Sequence, residues 1–128
     1  MSSSVAITYT TNGKRLRLPF ERLKNTVLGK AYILSIVFAG DYRIRSLNKK
    51  YRGAKYTPNV LSFPLSKTHG EIFISPKRVH VEAKRYSLTE SRYTAYLLIH
   101  GLLHLKGMQH SVTMEKKERE LLQKIHVN

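Results

Sequence analysis

The chain has 128 residues, 41% of them hydrophobic, which is enough for the core of one domain spanning residues 1–128. It contains no cysteine, so a disulfide framework, a thiolate metal site and a cysteine nucleophile are all excluded, and any metal must take nitrogen or oxygen ligands. Twenty-three lysines and arginines against eight aspartates and glutamates give a net charge of +15, a field that attracts polyanions such as RNA or a ribosomal surface.

In chain order, Val5 to Thr10 is a short β-prone run. Leu16, Phe20, Leu23 and Val27 then fall at helical spacing, with Pro19 suited to a first turn and Gly29 to the close. Ile33 to Ala39 is too continuously apolar for a half-exposed strand and reads as central. From Asp41, read as an N-cap, Ile44, Leu47 and Tyr51 mark a helix ending before Gly53. Strands follow at Asn59 to Phe63, stopped by Pro64, and at Glu71 to Ser75, stopped by Pro76, which opens a helix containing Val79 and Ala83. Ser87 and Glu90 have the spacing of a capping box before a helix that is apolar nearly all round, from Tyr93 to Leu105, and Gly107 suits its end. A last helix from about Thr113 turns Met114, Leu121, Leu122 and Ile125 inward, with Glu115/Arg119 and Glu120/Lys124 as supporting pairs outside. The pattern is α+β: a small mixed sheet of about four strands packed with about five helices, and a metal cleft at the end of the buried central helix.

No segment reaches the length of a membrane span, and the start MSSSVAITYT lacks the layout of a secretory signal, so a cytoplasmic location without membrane partners is expected. Charge is uneven along the chain. Between Asp41 and Glu71 there is no acid, while Arg43, Arg45, Lys49, Lys50, Arg52, Lys55 and Lys67 are basic, which marks a phosphate-facing surface.

The stretch HGLLHLKGMQH carries the chemistry. His100 and His104 lie four apart on one helix and so share a face; Gly107 lets the chain turn, and His110 can return as a third ligand. Three imidazole nitrogens leave an open position, the arrangement of a catalytic zinc site, although nickel and copper suit imidazole as well. His69, His80 and His126 have no such context and read as surface residues. The spacing matches the H-E-x-x-H-x-x-G-x-x-H run of metzincin proteases, but the glutamate that serves them as general base is Gly101 here.

HGLLHLKGMQH resembles the histidine motif of the YbeY family of bacterial endoribonucleases, which are rRNA maturation factors. LNKKYRGAKYTPNVLSFPL, from Leu47 to Leu65, is similar to the family's second motif, and Gly70-Glu71-Ile72 to its Gly-Asp-Ile strand, so the resemblance covers residues 47–122. It implies a metal held by His100, His104 and His110, zinc first and nickel second, and cleavage of single-stranded RNA in 16S rRNA 3′-end processing and ribosome quality control beside the small subunit. Arg52 corresponds to the family's functional arginine, and a guanidinium suits a scissile phosphate because it can grip it with two hydrogen bonds. Asn59 and Ser62 are candidates for lining the cleft, and Lys49, Lys50 and Lys55 for RNA contact. The rival readings are a zinc metallopeptidase and a non-catalytic ribosome-binding factor. Where the family carries aspartate before the third histidine, this chain has Gln109, so weaker metal binding is expected.

Overall fold

The computed structural model describes residues 4–127; the ends of the span expected as one domain, residues 1–3 and 128, lie outside the described residues. Four strands form one sheet: β1 (Val5–Tyr9), β2 (Ile33–Phe38), β3 (Val60–Pro64) and β4 (His69–Ile74), in the order β1-β2-β4-β3. β1, β2 and β4 run parallel, and β3 joins the edge antiparallel to β4, with Ser62 opposite Ile72. The expected mixed sheet of four strands is present, and β2 is internal, as its nearly continuous apolar run implied.

Five helices cover that sheet: α1 (Phe20–Leu28), α2 (Asp41–Arg52), α3 (Pro76–Arg85), α4 (Glu90–Leu105) and α5 (Val112–Gln123). The strand period of two sorts the apolar residues between the faces. Leu34, Ile36, Phe38, Ile72 and Ile74 meet α1, α3, α4 and α5 in the main core, whereas Val37, Leu61 and Phe73 form a second cluster with Ile44 of α2. Both faces being covered explains why β2 shows no polar alternation. α4 packs against β3, β4, α1, α3 and α5, and Leu98, Ile99 and Leu102 are fully enclosed. Among the described residues, no helix is long and apolar enough to cross a membrane.

Several expected boundaries move, each for a local reason. Leu16 lies ahead of α1, and Pro19 occupies the N-cap position instead of the first turn. Asp41 is the first residue of α2 and not its cap, which is Gly40; the carboxylate instead accepts the Ser75 hydroxyl at 2.6 Å and sits 3.7 Å from the Arg78 guanidinium. Pro64 closes β3 from within, and β4 starts at His69, two residues before Glu71. Ser87 takes a left-handed φ of 55° in the turn after α3, so Thr89 caps α4 by accepting the Arg92 N–H. α5 starts at Val112, capped by Ser111. The Glu115/Arg119 and Glu120/Lys124 pairs form no ion pair within 4.0 Å.

Candidate metal centre and flanking clefts

The last two turns of α4 and the loop after them bring three imidazoles together. His100 and His104 project from one helix face with Nε2 atoms 3.1 Å apart. Gly107, at φ 104°, lets the chain reverse after α4, a backbone conformation that side chains disfavour. His110 thereby returns to the pair, its ring centroid 4.7 Å from that of His100 and 4.9 Å from that of His104. One nitrogen from each ring lies within 4.8 Å of the other two.

This donor set fits a metal ion. Zinc–imidazole bonds of about 2.0–2.1 Å in a tetrahedron separate their nitrogens by roughly 3.3–3.4 Å, close to the spacing of the α4 pair. Burial lowers the pKa of His104, and the neighbouring His100 and His110 lower it further, against a weaker opposing hydrogen bond to the Met108 backbone. The lowered pKa favours the neutral imidazole, which has one ring nitrogen without a proton, as a metal ligand requires.

The carboxylate that orients this centre comes from α5. Glu118, only 4% exposed, accepts a hydrogen bond from Nδ1 of His100 at 2.9 Å, which leaves Nε2 facing His104. A carboxylate behind a ligating imidazole fixes its tautomer and raises its basicity. Gln109, on which the sequence placed this question, is exposed and has no hydrogen-bond partner among the described residues. Sequence reasoning missed Glu118, although a signal existed: Met114, Glu118, Leu121 and Ile125 are spaced as one inward helical stripe, and an acid in such a stripe must have a buried partner.

Two clefts meet at the histidines. One, of about 280 Å³, is lined by Arg52, Val60, Ser62, His100 and His104. Arg52 reaches it from the last turn of α2, which ends where Gly53 adopts φ 67° and donates its N–H to Asn48 and Lys49 carbonyls. Asn48, fully buried, ties the following loop down by donating to the Tyr56 carbonyl at 3.0 Å. Ser62 lines the same cleft, but its hydroxyl donates to the Gly101 carbonyl at 3.1 Å. Gly101 is pressed against β3 so closely that a Cβ there would lie 2.8 Å from Ser62 Oγ and 3.1 Å from Ile72. Position 101 thus has no room for the glutamate that the protease motif requires.

The second cleft, of about 520 Å³, lies on the other side of His100 and His110 and is walled by α3, α4 and α5. Asn59 belongs here and not beside Arg52; its amide donates to Glu82 at 2.9 Å. Lys49, Lys50 and Lys55 are exposed and line neither cleft. All seven basic residues between Asp41 and Glu71 are exposed, and none forms an ion pair among the described residues. His69, His80 and His126 are exposed too, and His80 pairs with Glu90.

Fold and site together define a small basic α+β protein with a three-histidine centre at the end of its buried helix. The model of the family described as "Endoribonuclease YbeY" matches residues 8–126. The chain is 38% identical to the endoribonuclease YbeY of Thermodesulfovibrio yellowstonii, over 97% of this chain and 80% of that protein. Against the endoribonuclease YbeY of Pelotomaculum thermopropionicum it is 30% identical, over 99% of this chain and 94% of the relative. The solution structure of TM1509 from Thermotoga maritima shares the fold, with a TM-score of 0.64 at 24% identity over 93% of this chain and 87% of that one. The chain belongs to the YbeY family.

Proposed function

We propose that this protein is a metal-dependent endoribonuclease that cuts single-stranded RNA during 16S rRNA 3′-end maturation and ribosome quality control, working on the small subunit in the cytoplasm. The observation that carries this reading is the single cleft shared by Arg52, His100 and His104 on a face of unpaired basic residues. His100, His104 and His110 would hold the ion, zinc first and nickel second. A divalent ion there supplies Lewis-acid activation of a water or of a phosphoryl oxygen.

The side chains do the rest. Arg52, permanently charged, neutralises the charge that builds on the scissile phosphate. Glu118 holds the His100 ring in the orientation that directs Nε2 to the centre. Lys49, Lys50 and Lys55, with the other bases of α2, draw the RNA backbone across the cleft. Ser62 keeps α4 seated on β3 through its bond to Gly101 and thereby fixes the floor. The crowding around Gly101 argues against a peptidase, whose general base cannot be housed there.

The test is metal content and cleavage of a single-stranded RNA and of a peptide, all on one preparation. RNA cleavage that is lost on chelation and restored by zinc supports the proposal; metal-dependent peptide cleavage with intact RNA would overturn it. A fully metallated protein that binds small subunits without cutting RNA would identify a ribosome-binding factor instead. Products ending in a 2′,3′-cyclic phosphate would assign the attack to the RNA's own 2′-hydroxyl instead of water.

A further inference from the structure

The cleft of about 520 Å³ shares His100 and His110 with the metal centre, and its other lining residues, which the proposed cleavage leaves unused, suit a flat polar ring. Tyr86, Tyr93 and Tyr96 form a ladder of nearly parallel rings, with centroids 5.8 and 6.0 Å apart and interplanar angles of 23° and 29°. The ladder runs on to His100, whose ring centroid is 6.4 Å from that of Tyr96. Leu88, Leu97 and Leu122 complete an apolar wall. All three tyrosines line the cleft, Tyr86 exposed, Tyr96 half-buried and Tyr93 only 4% exposed.

The polar groups of this cleft are held in one arrangement. Burial and the adjacent Glu82 push the Tyr93 phenol far above its ordinary pKa, so the hydroxyl stays a donor and gives its proton to Glu82 Oε1. Asn59 Nδ2 donates to the same oxygen at 2.9 Å, which fixes the amide orientation and leaves Asn59 Oδ1 and Glu82 Oε2 without a hydrogen-bond partner among the described residues. Both remaining atoms are acceptors. The cleft therefore combines aromatic residues with two unengaged acceptors on side chains bonded to each other, and with no free donor from this trio.

We infer that this cleft is a nucleobase subsite that selects guanine for the nucleotide next to the cleaved phosphate, a proposal that rests on the endoribonuclease reading. Guanine alone among the four RNA bases presents two neighbouring donors, N1–H and the 2-amino group, on its Watson–Crick edge. Uracil offers one N–H between two carbonyl oxygens, which would face the Glu82 carboxylate with like charge. Stacking on tyrosine is the usual way a single-stranded base is held outside a duplex. The shared wall at His100 sets such a base directly beside the histidine centre.

Binding of guanosine 5′-monophosphate and uridine 5′-monophosphate to the metal-loaded protein tests this, because the common phosphate cancels any contact it makes with the centre. Isothermal titration calorimetry reads this binding directly, whereas tyrosine fluorescence would not, because five of the eight tyrosines lie outside the cleft. The guanine nucleotide should bind about tenfold more tightly, the discrimination typical of a paired hydrogen-bond contact to a base edge. Glu82→Gln should abolish that preference. Tyr86→Leu, at a position 58% exposed where the fold tolerates change, should weaken both nucleotides several-fold and keep the preference. Equal binding of the two nucleotides by the parent protein, or an unchanged preference in Glu82→Gln, would overturn the subsite. RNA cleavage with no base preference would do so as well, while leaving the nuclease reading intact; guanine-selective binding without RNA cleavage would spare the subsite and sink the nuclease.

Discussion

The two sides of the histidine centre are built in different ways. On the β3 side the wall carries exposed charge: Arg52 at the end of α2, with Lys49 and Lys50 in the same last turn, has no acidic partner among the described residues. On the α5 side the polar groups are buried or half-buried and paired with each other, Glu118 with His100 and Glu82 with Asn59 and Tyr93. Exposed charge attracts a polyanion from any direction but positions nothing. Buried, mutually bonded groups attract little and position a great deal. A metal centre that must both capture a long anion and hold a reacting phosphate in one geometry needs one side of each kind.

The largest expected effect removes what the two sides share. His104→Ala should abolish bound metal and RNA cleavage together, measured by elemental analysis and a single-strand cleavage assay, because two remaining nitrogens cannot hold the ion. Full activity in this variant would sink the assignment of the centre. Next comes Arg52→Ala, which should retain metal while cleavage falls about 10²- to 10³-fold, the scale of losing one group that stabilises transition-state charge. If metal were lost with activity, the separation between a charged side and a positioning side would collapse.

The comparison is sharpened by a pair of changes behind the metal. Glu118→Gln should weaken zinc affinity about 10- to 100-fold in a chelator competition, since the orienting carboxylate is gone. Gln109→Asp should change it much less, because that side chain is exposed and hydrogen-bonds to none of the three histidines. The reverse ranking would return the orienting role to the position beside His110. A packing effect comes after these. Gly101→Ala should cost about 1–3 kcal/mol in denaturant unfolding, as the added methyl displaces Ser62 and Ile72 from the α4–β3 seam.

Sequence reading reached the two sides unequally, and the physics above says why. The helix period, the strand runs and the His100/His104/Gly107/His110 spacing are local patterns, so the four strands, five helices and the meeting of the three rings were legible before any coordinates. Charge is legible for the same reason, since an acid-free stretch from Arg43 to Lys67 needs no partner to be noticed. Glu118 and Glu82 were not legible as functional residues because their meaning lies in partners on other elements: Glu118 reads as one more charge in α5 until His100 is seen behind it. Asp41 and Ser87 were misread as caps because each has the right residue type, while the residue that caps, Gly40 or Thr89, is decided by the backbone angle at the helix entrance. Asn59 was read only as a cleft-lining residue; that it faces the α3 side was not legible, since its bond to Glu82 on α3 is a long-range contact.

The smallest expected effect addresses the charged side alone. Each phosphate that a lysine neutralises on single-stranded nucleic acid contributes about 0.7 to the slope of log affinity against log salt. Lys49→Ala and Lys50→Ala should therefore each flatten that slope by up to about 0.7 in RNA-binding titrations, with metal content and cleavage at saturating RNA unchanged, because neither side chain lines a cleft. Arg52→Ala should flatten the slope by a similar amount and also lose cleavage, so the salt dependence alone does not distinguish these residues and the rate at saturation does. A parent slope retained in both lysine variants would mean that the RNA backbone does not follow α2 to the centre. The basic face would then serve encounter only, and the path of the strand would have to be sought along the tyrosine-lined cleft.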